Sequence, residues 1–546
     1  MSSTQESSWA PGTVRLKDLH DKNSEIILQP QPSANPNDPL NWPAWRKYLN
    51  FTLASLYVLL VFSLVNMVTV TWSSMAEELG FSEAILNDSY AAGCGALSVG
   101  AVILLPFALK YGRRPLYLFS LAVQCGISIW SAKLRTVGDL MGVNVLECII
   151  GALCEVMVQM TVADVFFVHE RGLMNSIYIW IYIIGASLAP LAAGYVTDSQ
   201  GWRWVWWWSA ILIGALLVVM FFMYEETKFE DRTIDGLPSP GRPSQEDQST
   251  NQAEGESKEK CEISSLSKET EAEIELTRAK IDHTIPIKPY RAKLALWSST
   301  SSGGSLRYLI RHSYQPFLIC WNIPAVLYMS ILNGAIIAAL LMPITVYSIY
   351  MTLPPYNFTP SQIGLMGLPA FIGTLIATLL CGHLSDWLIV RMARNNGGIY
   401  EPEMRLWLIL AFTPFLAAGL LMFGIGIDKG MSWQFVCVGL GLASLGGTPA
   451  MSLSLTYLTD AYTEIISDSL VAVVFVKNLF PTILVFALAP WIDGVGLSNV
   501  FITFTVICVV ILLGNIVFLV YGKRFRAGSA DKYRYYAART LETPSR

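Results

Sequence analysis

EETKFEDRTIDGLPSPGRPSQEDQSTNQAEGESKEK, residues 225–260, is a run of Glu, Lys, Ser, Gln and Pro set into a chain that is apolar on either side of it. Such a composition cannot bury enough hydrocarbon to offset the entropy of ordering it. The whole stretch 225–312 therefore reads as a disordered linker, with at most a short helix around KETEAEIELTRAK. Outward from it, a window of about 20 residues, the length of helix that crosses a ~30 Å hydrocarbon core, finds apolar runs on both sides. Upstream they lie near 48–73, 84–108, 115–134, 142–166, 173–197 and 204–224. Downstream they lie near 317–349, 361–383, 405–425, 433–458, 469–491 and 499–521. The expected product is an all-α membrane protein with twelve transmembrane helices in two six-helix halves. Its parts are a tail over 1–45, a bundle over 46–224, the linker, a second bundle over 313–525 and a tail over 526–546.

Composition agrees with this plan. Of 546 residues 53% are hydrophobic and only 14% charged, and the mean hydropathy is +0.46, far above a soluble domain of this length. A net charge of -4 without a basic patch argues against nucleic acid as a partner. Cys94, Cys125, Cys148, Cys154, Cys320, Cys437 and Cys508 lie in apolar runs and no CxxC occurs, so they read as small core residues rather than disulfides or metal ligands. The polar start MSSTQESSWAPG lacks the pattern of a cleavable signal, which leaves the first span to direct insertion. None of His20, His169, His283, His312 and His383 falls at mid-depth beside an acid or nucleophile, and no phosphate loop is present. The chain is read as no enzyme, with no metal and no cofactor, and any transport must draw on an ion gradient rather than ATP.

The basic residues orient the chain. Arg46, Lys47, Lys110, Arg113, Arg114, Arg391, Arg394, Lys523, Arg524 and Arg526 fall on one side if both termini and the linker are cytoplasmic. Glu77, Glu78 and Glu83 fall opposite, with Lys133 and Arg135 as exceptions, and GWRWVWWW (201–208) lands at the outer boundary as an interfacial belt.

Span four carries ECIIGALCEVMVQMTVAD, residues 147–164, with three carboxylates at different depths. At ~1.5 Å per residue Glu147 lies roughly 12 Å outward of Glu155 and Asp164 roughly 13 Å inward. Glu155 is thus the midplane acid. A central carboxylate costs about 2.5–3.5 kcal/mol, which demands a partner or a wet cavity. It is a candidate proton and cation site, the alternative being a carboxyl hydrogen-bonded between packed helices. Glu147 borders the same cavity or sits in an outer vestibule, whereas Asp164 reads as a capping group or the partner of Arg171 or a loop base. In span eleven Lys477, with Asn478 beside it, reads as a counter-charge or a snorkelling side chain. Tyr178, Trp180 and Tyr182 read as core, and Asn357-Phe358-Thr359 is a glycosylation sequon of little expected occupancy.

Several separated motifs resemble one family. DPLNWPAWRKY (38–48), GASLAPLAAG (185–194) with Gly185, Pro190 and Gly194, DVFFVHERG (164–172), EPEMRL (401–406) and FVKN (475–478) resemble the major facilitator superfamily, and within it the fungal drug:proton antiporters with twelve spans. The resemblance implies a carrier of small molecules and protons that alternates its access across the bilayer and works as a monomer. It implies the plasma membrane, or the vacuolar one. It places Asn66 and Asn333 on cavity-lining helices, as cargo contacts or interhelical bonds. The turns KYGRRP (110–115) and GHLSDWLIVRM (382–392) become gating loops, with Arg113, Arg114, Gly382 and Asp386 as their residues. Four positions depart from the family pattern, Leu105, Leu109 and Lys110 at the loop after span two and Glu147 in span four. Leu109 stands where its loop carries an aspartate, so Arg113 and Arg114 need another acid, and Glu147 stands where it often carries an arginine. The function implied is proton-coupled efflux of drugs or secondary metabolites; the alternative is uptake of cationic metabolites such as polyamines. A transporter-like receptor fits less well, because little chain follows the last span to act as an output module.

Overall fold

The computed structural model describes residues 14–15, 35–166, 168–228, 286, 289, 294, 306–396, 399–462 and 465–541. Among them, twelve helices are long and apolar enough to cross a membrane. Spans one to six are Ala44–Leu79, Glu83–Ala108, Arg114–Ala132, Val137–Val162, Ile177–Gln200 and Trp202–Met223. Spans seven to twelve are Pro324–Tyr350, Pro360–Asn395, Pro402–Asp428, Trp433–Ala461, Asp468–Val495 and Leu497–Gly528. Local chemistry marks their ends. Ser82 Oγ accepts from the Ile85 N–H to start span two, and Thr136 and Asp139 cap span four reciprocally. Between spans two and three the chain reverses at Gly112, whose φ of 98° suits a residue without a side chain.

The two halves are built alike. In the first, span one packs on four and five, two on four, and three on six. In the second, seven packs on ten and eleven, eight on ten, and nine on twelve, the same pairs shifted by six, while nine also packs extensively on ten, more than three does on four. Each half buries its own apolar core. The halves then meet along two seams, span two against eleven and span five against eight, and these seams also exchange when the halves are exchanged.

On the side opposite the basic loops, here the outer side, the halves are closed together. A Cβ placed on Gly194 would lie 2.5 Å from the Pro360 carbonyl oxygen, and one on Gly364 2.5 Å from that of Pro190, so both positions need glycine for the backbones to approach. Ser361 N–H donates to Asp198 Oδ2 across the same seam at 3.0 Å. Val70, at the outer end of span one, is buried in the core of the second half.

Four expectations are corrected. Span seven does not run over 317–349: a separate helix, Leu306–Asn322, ends at an extended Ile323 before Pro324 starts the span. That helix also begins inside the stretch read as linker, and at the other end of that stretch Thr227 is fully buried. Most of the linker, including 229–285 and the proposed short helix, lies outside the described residues. The tail over 526–546 is helical across Ala530–Leu541, and Tyr536 and Ala537 pack into the second core. Residues 382–392 form no turn: the helix Gly367–Asn395 continues through them because nothing in that run breaks it.

Candidate functional site: a buried acid between the halves

Glu155 sits where the two halves face each other. Lys477 Nζ lies 3.2 Å from Glu155 Oε1, and Asn478 Nδ2 donates to Glu155 Oε2 at 3.1 Å. Two consecutive residues of span eleven thus engage both oxygens of one carboxylate on span four. The side chains are 7% exposed for Glu155 and 17% for Lys477, so the charges neutralise each other largely out of water. Span eleven is held in this register by further contacts outward. Thr482 Oγ1 donates to the Asn478 carbonyl at 2.7 Å, Thr482 packs against Gly95 of span two, and Asn87 Nδ2 donates to the Val485 carbonyl at 2.9 Å.

Aromatic side chains surround the acid. Tyr178 and Tyr182 of span five lie within Coulombic reach of Glu155, and Tyr182 meets Phe62 edge-on with ring centroids 4.3 Å apart. Tyr90 of span two stands within similar reach of Tyr182 and of Tyr347 of span seven. The rings beside Glu155 thus come from span five, and Tyr90 extends the aromatic surface from them toward Tyr347 of the second half. Sequence reading assigned Tyr178 and Tyr182 to core packing, and they do pack in the first core; their spacing of one helical turn also stacks them on the face near Glu155.

Other candidate residues fall elsewhere. Glu147 is 3% exposed and its carboxyl group has no hydrogen bond or ion pair among the described residues; its backbone carbonyl accepts from Gln124 Nε2 of span three at 2.8 Å. One turn further on, Gly151 faces Val61 and Gln124, so this flank of span four turns into the first bundle. Asn333 is fully buried and donates to Ser454 Oγ of span ten at 2.8 Å, an interhelical bond within the second bundle. Asn66 donates to its own helix at the Phe62 carbonyl, 2.8 Å away. Gly185 packs on Leu59 of span one, while Pro190 and Gly194 form the seam with span eight. Asn357 is exposed in the outer loop.

The inner loops carry the charge clusters. Arg113 Nε pairs with Asp164 Oδ2 at 3.2 Å, which gives Asp164 its loop base. The missing loop aspartate is replaced by Glu226, just past span six, whose carboxylate accepts from the N–H groups of Arg113 and Arg114 at 2.9 and 3.0 Å. A carboxylate there meets the orphan N–H groups and positive end of span three. An acid following span six and facing a basic loop was the signal for it. The second half repeats the first pair as Arg405 with Asp460 at 2.8 Å. Tyr400 donates to Asp460 at 2.5 Å, and burial first, then the Asp460 charge, holds its hydroxyl protonated above the usual phenol range. Gly382 is exposed on a helix with no atom near enough to touch a Cβ in this outer-sealed arrangement. The side chain of Asp386 lies outside the described residues.

The model of the family described as Major Facilitator Superfamily matches residues 52–399. The chain belongs to the major facilitator superfamily. It is 32% identical over 527 residues to an uncharacterized MFS-type transporter of Schizosaccharomyces pombe, covering 94% of this chain and 90% of that protein. It is 30% identical to Protein HOL1 of Saccharomyces cerevisiae, covering 94% and 92%, and 22% identical to Efflux pump radE of Floropilus chiversii, covering 96% and 89%. Its fold is shared with the xylose transporter XylE from E. coli, in a partially occluded inward open conformation, with a TM-score of 0.55 at 12% identity over 86% of this chain and 97% of that one. This major facilitator chain is therefore a membrane transporter and not an enzyme, and the two-seam architecture is the one within which such carriers move small molecules.

Proposed function

We propose that this chain is a proton-coupled exporter of small organic compounds, drugs or secondary metabolites, of the antiporter-like branch with twelve spans. The observation that carries the proposal is Glu155, a carboxylate buried at mid-depth between the halves and already charge-paired across them. An intramembrane acid of this kind can give up its partner for a proton or for cargo, but not for both at once, and that exclusion is what antiport requires. The tyrosines around it suit an amphipathic cargo with apolar bulk better than a sugar. Export is supported by the GASLAPLAAG resemblance and by the likeness to a relative named as an efflux pump. The carrier works as a monomer in the plasma membrane, with the vacuolar membrane as the alternative, and its linker is cytoplasmic.

One observation favours a second reading, uptake of cationic metabolites such as polyamines: the group Glu155 holds is itself an alkylammonium, that of Lys477. Proteoliposomes containing a pH-sensitive dye, offered candidate drugs and polyamines in turn, separate the two. Cargo added to the parent protein moves protons in the direction opposite to itself if the first reading holds. Flux with no accompanying proton movement removes the coupling, and a Glu155→Gln variant as active as the parent at every pH removes Glu155 from the mechanism.

A further inference from the structure

Of the ion pairs between described residues, Glu155–Lys477 joins the two halves, whereas Arg46–Glu225, Arg113–Asp164, Arg203–Glu78, Arg405–Asp460, Lys523–Glu401 and Arg526–Glu403 each hold together neighbouring parts of one half. It forms in a molecule whose outer side is sealed, with Val70 buried in the opposite core and Gly194 and Gly364 pressed on span eight and span five backbones. We propose that Lys477 is a clasp: its ammonium holds the empty carrier in this outer-sealed arrangement, and the carrier reopens outward once something else neutralises Glu155.

The physical argument is one of charge separation. The clasp requires that rocking the halves apart move span eleven relative to span four and draw Lys477 from Glu155, two side chains that are largely out of water here. Separating opposite charges at low dielectric is far costlier than separating neutral groups. A proton on Glu155, or cargo bound to it, removes that cost. Asn478 cannot replace the clasp, since its amide offers a neutral hydrogen bond of modest net strength. Among the described residues, Cys148 and Cys154 on its own helix and Tyr178 and Tyr182 on span five also lie within Coulombic reach of Glu155, and none of these four carries a positive charge. Lys477 is therefore the neutralising group present when the carrier is empty. The inference rests on the outer-sealed geometry and needs neither a given cargo nor a given direction of transport.

The test reads the outer seal directly. A Val70→Cys reporter in the full-length protein is exposed from outside to a membrane-impermeant maleimide, with the parent lacking the reporter as the blank for native cysteines. The reporter alone labels slowly. Adding Lys477→Gln, or Glu155→Gln, is expected to speed labelling at least about fivefold, the lower end of ordinary conformational coupling. Lys477→Arg keeps it slow and, with size-exclusion profiles, separates loss of the clasp from loss of the fold. The exchanged pair, Glu155→Lys with Lys477→Glu, restores slow labelling. Labelling of Lys477→Gln at the rate of the reporter alone overturns the clasp, and so does an exchanged pair that labels as fast as the single variants. Transport by Glu155→Gln at the parent's rate would instead remove the proposed function while leaving this measurement standing.

Discussion

Arg526 shows how far one residue can sit from its expected place. Composition put it among the basic residues of a solvated tail, yet it is fully buried and engages both oxygens of Glu403 at 2.7 and 2.8 Å. Removing one partner of such a pair strands the other charge, at about 3–5 kcal/mol. Arg526→Ala should accordingly lower the unfolding midpoint in detergent much more than Arg524→Ala, and equal effects would mean that the pair contributes little. Glu155 was legible beforehand because depth along one helix is simple arithmetic and a midplane acid is costly unless it is used. Lys477 was legible as a possible counter-charge, but its partner was not, because the two are 322 positions apart in sequence and periodicity carries no information about which helices face each other. The same limit left Asn333 open between a cargo contact and an interhelical bond, and its bond to Ser454 inside one bundle is the second.

For single elements, the helices themselves were easy to read and their ends were not. Twelve apolar runs survive as twelve spans, but the break before Pro324 and the unbroken passage of span eight through 382–392 depend on backbone geometry that hydropathy averages away. That passage sharpens a contrast between glycines. Gly364 faces the Pro190 backbone with no room for a Cβ, whereas Gly382 faces nothing. Gly364→Val should overpack the seam of spans five and eight, costing about 1–3 kcal/mol and most of the cargo flux. Gly382→Ala should leave flux intact and raise helix stability by roughly 0.5–1 kcal/mol. A flux assay paired with thermal unfolding checks both, and a silent Gly364→Val would show that the seam opens wider than its closed form suggests. Asp198→Ala, which removes only the acceptor for the Ser361 N–H, is expected to fall between them.

At the scale of the whole molecule, the repeated pairing of helices means that each bundle closes its own core and the halves meet through the two seams. Cutting the chain between them should therefore be tolerated. A protease site inserted between residues 240 and 260, cleaved in the membrane, is expected to leave transport near the uncut level, and loss of flux on cleavage would assign the linker a mechanical part. The six-plus-six plan was readable from the polar stretch itself, since hydropathy alone separates the bundles. Which spans touch across the divide was hidden, because lipid-facing and partner-facing apolar surfaces are written in the same residues.

The two seams exchange when the halves are exchanged, but their chemistry does not. One carries the ion pair of Glu155 and Lys477 beside it, the other close backbone contacts at Gly194 and Gly364 with a single Asp198 carboxylate bond. Electrostatic attraction reaches further and weakens gradually with distance, while close backbone packing is lost within a fraction of an ångström. The molecule is thus a door with unlike edges: if the clasp holds as proposed, the close-packed edge is expected to let go at the first small displacement and the charged edge last, giving the swing a handedness that a symmetric pair of jaws would lack.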